Sequence, residues 1–370
     1  MVTLREKFRG CIAASWIGSA MGAAVEGWSP ERIKETHGFL DELLTYKHYA
    51  KYTDWQRLPG TTEDGIERQR LMATAIIEKQ DRILAQDYVS VWLRCLKLER
   101  IRYKQEPFDQ SLLEMAQAGV PPEELGKMWL WPNIISMARA SHPVGLINAG
   151  DPQGAADDTY EVGKVYAREA SFTLRWAALY NAALAEACKP GATVESVLEV
   201  AREFSTYRKE ANQLFGVYDF VTEEVNHALE LAQKHTGWQA LREEFYQHYN
   251  GGNYVTYGMS QANEIVAKGL AIFAFTKGNP KDAVVIAVNF GRDTDCLAAV
   301  AGGLAGALSG ASELLPEWIS QVNEATQQDP FTNSNRTIEE TAEGLFGAFI
   351  ARRRRLEEYL NSMGEGEFLG

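Results

Sequence analysis

Two carboxylates, Asp293 and Asp295, lie where an apolar segment ends and a helix rich in small residues begins. The apolar segment spans residues 283–290, and the small-residue pattern continues to Ala307. Carboxylates in such a dry setting must be protonated, hydrogen-bonded to backbone N–H groups, or neutralised by a cation. Two interpretations therefore stand. Either the acids cap the helix, for which Asp is a favoured residue, or they bind a hard metal ion.

A second acidic pair, Glu63 and Asp64, opens another helical run, which continues to Glu78. Thr61 and Asp64 fit the loose pattern Ser/Thr-x-x-Asp/Glu of a helix cap, so capping explains part of this segment. Two helix starts with adjacent acids and threonine hydroxyls nevertheless form an oxygen-rich set, which suits Mg²⁺, Mn²⁺ or Ca²⁺ rather than zinc. Four carboxylates in one pocket would repel one another without cations. The two pairs together predict a metal site.

A third element is the N-terminal run, which predicts a core helix. Small residues recur in it every four positions, at Gly10, Ala14, Gly18 and Gly22. Such a face lets another backbone approach closely. The basic residues ahead of the run also fit a secretory signal, but Trp16 and the glycines dilute the apolar stretch. Glu26, at the end of this helix, is either an exposed residue before a Gly27 C-cap or the neighbour of a metal or a substrate hydroxyl.

Helical periodicity dominates the rest of the chain, and no series of alternating strands competes with it. The predicted helices span residues 4–26, 63–80, 86–100, 155–188, 192–204, 220–234, 237–249, 259–276, 294–309 and 336–361. Because the sequence has no repeat and no Pro/Gly/Ser-rich linker, residues 1–370 are predicted to form a single compact all-α domain of many helices. The segment 29–60, with His37, His48 and Trp55, is predicted to be a long loop that acts as a lid beside the pocket.

The composition excludes several classes of function. The 370 residues are 45% hydrophobic, which is enough to bury a large core. No apolar run reaches the ~18 residues expected of a membrane span, and the net charge of −13 argues against nucleic-acid binding. Four widely spaced cysteines without a CxxC motif predict no disulfide framework, and hence a reducing, cytoplasmic compartment.

Three motifs, taken in order, resemble those of the ADP-ribosylglycohydrolase family, which includes the dinitrogenase-reductase-activating glycohydrolases. They are Gly18-x-x-x-Gly22-x-x-x-Glu26, Thr62-Glu63-Asp64 and Gly291-x-Asp293-Thr294-Asp295. The segments 263–275 and 315–318 resemble two further parts of the family, so the match covers roughly residues 6–325. The resemblance implies an all-α fold, a centre of two Mg²⁺ or Mn²⁺ ions, and cleavage of the bond between ribose C1 of an ADP-ribosyl group and a protein side chain or small molecule.

The resemblance also implies roles for individual residues. The implied metal ligands are Thr62, Glu63, Asp64, Asp293 and Asp295. Glu26 matches the acidic residue that the family places near the substrate ribose. Cleavage at C1 passes through an oxocarbenium-like state that nearby negative charge stabilises, and the leaving group must be protonated. The predicted catalytic residues are Glu26, Asp64 and Asp293.

The chain departs from the family pattern at several positions. Ser19 and Glu63 stand where the family usually has Asp, and Cys296 stands where it usually has Thr or Ser. A thiol is a poor partner for Mg²⁺, so Cys296 is either a ligand that favours softer Mn²⁺ or a buried packing residue. Asn148 and Asp151 lie where many members carry a Thr-His pair. These two form either a simple turn or a substrate-binding loop.

The predicted activity is that of a metal-dependent glycosidase acting at ribose C1 of an ADP-ribosyl or related ribosyl substrate, either a small molecule or linked to a protein. The leaving group is left open between protein Arg or Ser, a nucleobase and a small metabolite. The alternative is a catalytically inactive member that binds ADP-ribose or has a structural role, as lens crystallins related to this family do. Acids at all three elements favour the enzyme, while Ser19 and Cys296 keep the alternative open.

Overall fold

Helices make up most of the computed structural model, which describes residues 2–48, 53–128, 135–168, 171–208, 220–250 and 260–363. The helices of the first half are α1 (Leu4–Gly22), α2 (Pro30–His37), α3 (Asp64–Lys79), α4 (Ala85–Cys95), α5 (Leu98–Lys104), α6 (Pro107–Gln117), α7 (Pro122–Leu125), α8 (Ser136–Ala140), α9 (His142–Ile147) and α10 (Pro152–Gly163). Those of the second half are α11 (Phe172–Ala187), α12 (Val194–Phe204), α13 (Phe220–Lys234), α14 (Trp238–Asn250), α15 (Ala262–Phe275), α16 (Pro280–Val288), α17 (Thr294–Ser309), α18 (Pro316–Gln328) and α19 (Ile338–Met363).

The predicted all-α architecture is confirmed. Within the described ranges the β-type pairing is limited to one isolated bridge between Tyr46 and Arg57. No helix in those ranges is both long and apolar enough to cross a membrane. The core is continuous from α1 through α4 to α11, as shown by Trp16, Trp92 and Trp176, each at most 1% exposed.

The stripe of small residues on α1 packs directly against α17. The facing pairs are Gly10 with Gly306, Ala14 with Gly302, Gly18 with Ala298 and Gly22 with Thr294. Each step of four residues along α1 is matched by a step of four residues back along α17, so the helices run antiparallel. A Cβ on Gly18 would lie 2.5 Å from the carbonyl carbon of Ala298, so only glycine lets the two backbones come this close. The Thr294 hydroxyl then donates to Gly22 O at 2.7 Å.

Several predicted helix boundaries are wrong. The run predicted at 86–100 is broken between α4 and α5, and the run at 155–188 is two helices, α10 and α11, that fold back on each other with Leu174 packed against Gly163. The helices missed by the sequence analysis are α2, α6, α7, α8, α9, α16 and α18. All of them except α8 carry Pro in the first turn. Proline is accepted there because the first N–H groups of a helix have no intrahelical partner.

The segment 29–60 is therefore not a loop throughout. Its first part is α2, which begins after Ser29, whose side chain accepts the Arg32 N–H. Its later part, as far as the structure describes it, passes beside the acidic residues described below. Residues 49–52 of the predicted lid lie outside the described residues.

Candidate active site

The first turn of α17 presents the two acids that the sequence singled out. Asp293 is the N-cap, and its Oδ1 accepts the Cys296 N–H at 3.3 Å. Its other oxygen, Oδ2, and the Oδ1 of Asp295 are buried and have no donor among the described residues. Ligand atoms of Asp293, Asp295 and Cys296 all lie within 4.8 Å of one another. Asp293 thus caps the helix with one oxygen, and the three side chains form a group that could hold a metal ion.

A turn of left-handed backbone joins this helix start to the end of α1. Gly291 has φ 77° and Arg292 has φ 66°, and a Cβ on Gly291 would lie 2.9 Å from Trp28 O. Two backbone hydrogen bonds close the contact, from Gly27 N to Arg292 O at 2.7 Å and from Arg292 N to Trp28 O at 2.8 Å. This pairing holds Glu26, which precedes Gly27, beside the start of α17.

The second acidic segment is held by cations. Glu63 Oε1 lies 2.6 Å from Arg57 Nε and accepts a hydrogen bond from the Tyr46 hydroxyl at 2.5 Å. The Glu63 N–H is 3.4 Å from the Ser19 hydroxyl, which accepts it. The Thr62 carbonyl accepts from Lys104 Nζ. The predicted Thr61 cap is absent from this helix start, since the N-cap of α3 is Glu63 and no side chain bonds there.

One guanidinium links the two acidic segments. Arg139, on α8, forms an ion pair with Asp64 through Nη2, and its Nη1 lies 3.8 Å from Asp295 Oδ2. Nη1 also donates to Cys296 Sγ at 2.7 Å. Asp64 has a second cation, Arg68 Nη1, at 2.8 Å. We call Glu26, Glu63, Asp64, Asp293 and Asp295 the acidic cluster.

Glu26 is the partly exposed member of the acidic cluster. Its side chain is 18% exposed, and Oε2 lies 3.3 Å from His48 Nδ1. Burial, followed by the charges of Asp293 and Asp64, raises the pKa of Glu26 well above its usual value. Burial and the charges of Glu26 and Asp293 raise the pKa of Asp295 in the same direction. The cluster therefore combines like charges that favour either protonation or a cation.

The sequence matches the family described as ADP-ribosylglycohydrolase over residues 1–355. The chain belongs to the ADP-ribosylglycohydrolase family. A solved chain from an ADP-ribosylglycohydrolase-related protein complex shares its fold, with a TM-score of 0.63 and 18% identity over 94% of this chain and 98% of that one. A search of curated proteins finds no match. The resemblance noted in the sequence is confirmed.

Two residues that were predicted to bind the substrate, Asn148 and Asp151, form hydrogen bonds outside the acidic cluster. Asn148 is fully buried, and its amide donates to Asp158 Oδ2 at 2.7 Å and accepts from Arg352 Nη1 at 3.0 Å. Asp151 caps α10 by accepting the Gly154 N–H at 2.9 Å. None of these contacts involves the acidic cluster, so this structure accounts for the pair as a turn and a cap. Their role in substrate binding stays a prediction.

Sequence reasoning missed three arginines, one tyrosine and one further carboxyl of the site, and it placed His48 only in the predicted lid. The missed residues are Tyr46, Arg57, Arg68, Glu106 and Arg139. Arg68 had a signal, because it lies four residues after Asp64 on the same helix face. The sequence contains no signal for Arg57 or Arg139, because their partners depend on how distant segments pack. Glu106 Oε2 lies 3.2 Å from Arg68 Nη2 and 3.8 Å from Arg139 Nη2.

Glu106 should make the stability of this family member depend on pH. Burial, followed by the Asp64 charge, raises the pKa of Glu106 from 4.5 to about 7. Between these pH values the folded protein keeps a proton that the unfolded chain loses. The protonated carboxyl therefore makes its full contribution to the free energy of unfolding below pH ~4.5, and this contribution is lost as pH rises through 7. One pKa unit is worth ~1.4 kcal/mol, and the effect is reduced here because the carboxyl is partly solvated. Between pH 4.5 and 8 the free energy of unfolding of metal-free wild type should therefore fall by about 1–2 kcal/mol more than that of Glu106→Gln.

Urea unfolding in EDTA across this pH range measures the effect. The matched control is Glu114→Gln, an exposed position on the same helix, α6. Its pH profile should follow that of wild type. Parallel profiles for wild type and Glu106→Gln would show that the carboxyl does not titrate in this range.

Proposed function

We propose that this protein is a metal-dependent hydrolase of the glycosidic bond at ribose C1 of an ADP-ribosyl or related ribosyl substrate. The observation that carries the proposal is the pair of buried oxygens, Asp293 Oδ2 and Asp295 Oδ1, without a donor among the described residues. A buried anionic oxygen without a partner is costly, so the pair favours a bound cation. Membership of the ADP-ribosylglycohydrolase family supports the reaction class.

The residues present fit a hard divalent ion at the start of α17. Asp293 and Asp295 would hold it, and their carboxylate oxygens favour Mg²⁺ or Mn²⁺. Thr62, Glu63 and Asp64 stay the predicted ligands from the other segment, and two ions stay the number that the family resemblance implies. When bound, the metal supplies positive charge that binds the ribose cis-diol and acidifies a water.

Glu26 is proposed to act at the ribose. Its carboxyl is within reach of solvent while the rest of the acidic cluster is buried. Because its pKa is raised by burial and by Asp293, the carboxyl can hold a proton for the leaving group. Asp64 and Asp293 are proposed to supply the negative charge that stabilises an oxocarbenium-like state at C1.

The proposed substrate carries an ADP-ribosyl or ribosyl group, free or linked to a protein. A net charge of −13 argues against a nucleic acid as the substrate. We place the protein in the cytoplasm, on the strength of four cysteines that are all free in the structure.

The test is a substrate screen in millimolar Mg²⁺ or Mn²⁺. Proteins ADP-ribosylated on Arg or Ser, small ADP-ribose conjugates and simple nucleosides are incubated with the protein, and released ADP-ribose or ribose is measured by mass spectrometry. We expect release from at least one class and its loss in EDTA. No release from any class by protein that has been shown to hold the metal would overturn the proposal.

A second candidate is a catalytically silent member that binds ADP-ribose or serves a structural role. The observation that favours it is the pairing of Glu63 with Arg57 and of Asp64 with Arg139, which neutralises two acids without any metal. Metal content by mass spectrometry and an ADP-ribose binding isotherm on the same preparation distinguish the two. Saturable ADP-ribose binding without turnover of any substrate supports this candidate.

Cys296 should tune the choice of metal. Its Sγ lies close to Asp293 and Asp295 and accepts a hydrogen bond from Arg139, so the side chain does more than fill space between helices. A thiol favours softer ions than a hydroxyl does, so Cys296→Thr should raise Mg²⁺ affinity relative to Mn²⁺ by about tenfold, or ~1.4 kcal/mol. Calorimetric titration with each ion measures the ratio. The control is Cys188→Thr, at a buried thiol that follows the last residue of α11 and is not part of this group. An unchanged ratio in Cys296→Thr would show that the thiol is not a ligand.

A further inference from the structure

The acidic cluster divides into two halves with different chemistry. In the half formed by Asp293 and Asp295, one oxygen of each carboxylate lacks a donor among the described residues. In the half formed by Glu63 and Asp64, each carboxylate already contacts a guanidinium. Glu63 Oε2 also lacks a donor among the described residues, so the two halves differ in their close guanidinium contacts rather than in their unpaired oxygens.

The guanidinium of Arg139 lies between these halves. It pairs with Asp64, lies 3.8 Å from Asp295 Oδ2 and donates to Cys296 Sγ at 2.7 Å. Asp64, Asp295 and the position of Cys296 are three places at which the family resemblance implies metal ligands. The Arg139 side chain is only 7% exposed. A buried guanidinium stays charged. Its positive charge therefore lies between the segments of Asp64 and Asp295, where a second metal ion bound by both segments would also lie.

The charges of the cluster agree with this division. With Glu26 holding a proton, as proposed above, the other four acids of the cluster carry four negative charges if all are ionised, and Arg57 and Arg139 carry two positive charges. Two negative charges remain, and one divalent ion neutralises them. Arg68 does not change this count, because it is also bound by Asp109, at 3.1 Å and 2.7 Å from the two carboxylate oxygens. A second dication beside Arg139 would meet strong repulsion in a buried setting.

We propose that Arg139 takes the place of one of the two metal ions, so that this chain binds a single Mg²⁺ or Mn²⁺ through Asp293 and Asp295. Asp64 is then the counter-ion of Arg139. Glu63 is held in the same way by Arg57 and Tyr46, and its Oε1 is used by both. The proposal concerns the number of ions and rests on the metal dependence, not on the substrate, of the proposed function.

The test is the Mn²⁺ stoichiometry of three forms of the full-length protein. Equilibrium dialysis with Mn²⁺ alone counts the ions, and electron paramagnetic resonance distinguishes an isolated Mn²⁺ from a spin-coupled pair. We expect one isolated ion in wild type and one in Arg139→Lys, which keeps the charge. We expect two ions in Arg139→Ala, because the positive charge between Asp64 and Asp295 is removed, together with a larger rise in melting temperature on adding Mn²⁺ than in wild type.

Other results would overturn the proposal. Two coupled ions in wild type would show that Arg139 does not replace a metal, while leaving the proposed function intact. No ion in wild type would overturn both this proposal and the metal dependence of the proposed function. One ion or none in folded Arg139→Ala would also contradict it. If Arg139→Ala does not fold, Arg139→Gln replaces it, and the wild-type count is decisive by itself.

Discussion

Replacing Asp293 or Asp295 by Asn should lower activity at least ~100-fold, a loss of about 2.7 kcal/mol of transition-state stabilisation. Each substitution removes an anion from the pair of oxygens that have no donor among the described residues. The fold should tolerate both changes. Asn caps helices about as well as Asp, so the hydrogen bond from the Cys296 N–H is kept. Burial and the neighbouring acids raise the pKa of Asp295, so a neutral amide there resembles the protonated acid.

Rates on the substrate identified by the screen, Mn²⁺ affinity and the melting temperature in EDTA measure these effects. The melting temperature in EDTA should be nearly unchanged. Asp282→Asn is the matched control, because Asp282 is an exposed acid in the first turn of α16, away from the acidic cluster. It should keep full activity. Activity retained in both Asp293→Asn and Asp295→Asn would mean that the two acids serve only to cap and fill the helix start.

Substituting Gly22 by Ala should damage both stability and the site. In an ordinary helix this change is favourable by roughly 0.5–1 kcal/mol. Here the added Cβ would lie 2.5 Å from Thr294 O and 2.5 Å from Asp295 N, and both are backbone atoms that cannot rotate away. Overpacking of this kind costs about 1–3 kcal/mol. The first turn of α17 must move to relieve it, so Mn²⁺ affinity should also fall by about tenfold, or ~1.4 kcal/mol.

Urea unfolding in EDTA and Mn²⁺ titration measure the two effects of Gly22→Ala. The control is Gly347→Ala on α19, where a Cβ would meet no atom within 4 Å. That variant should gain roughly 0.5–1 kcal/mol of stability and bind Mn²⁺ as wild type does. If Gly22→Ala were as stable as Gly347→Ala, close approach of α1 and α17 would not be what positions the acids.

Features that depend on local spacing were predictable from the sequence. A small residue every four positions can only form a stripe on a helix, so the close approach of α1 to another backbone followed from Gly10, Gly18 and Gly22. The position of acidic residues at a helix start was equally predictable, because capping and charge–dipole preferences act within one helical turn. The helices that begin with Pro, such as α2 and α18, follow the same local rules, because proline is accepted in the first turn of a helix, but the sequence analysis did not predict them.

Only the tertiary structure decided which charges neutralise the acids. Arg139 is 157 residues from Cys296 in sequence and 75 from Asp64, yet it contacts both. Nothing in the local sequence of α8 distinguishes this arginine from one exposed to solvent, since its partners are set by how α8 packs against α3 and α17. The sequence alone therefore indicated that the buried acids need capping, protonation or cations, because buried like charges repel. The packing of distant helices determined that guanidinium groups supply part of that charge.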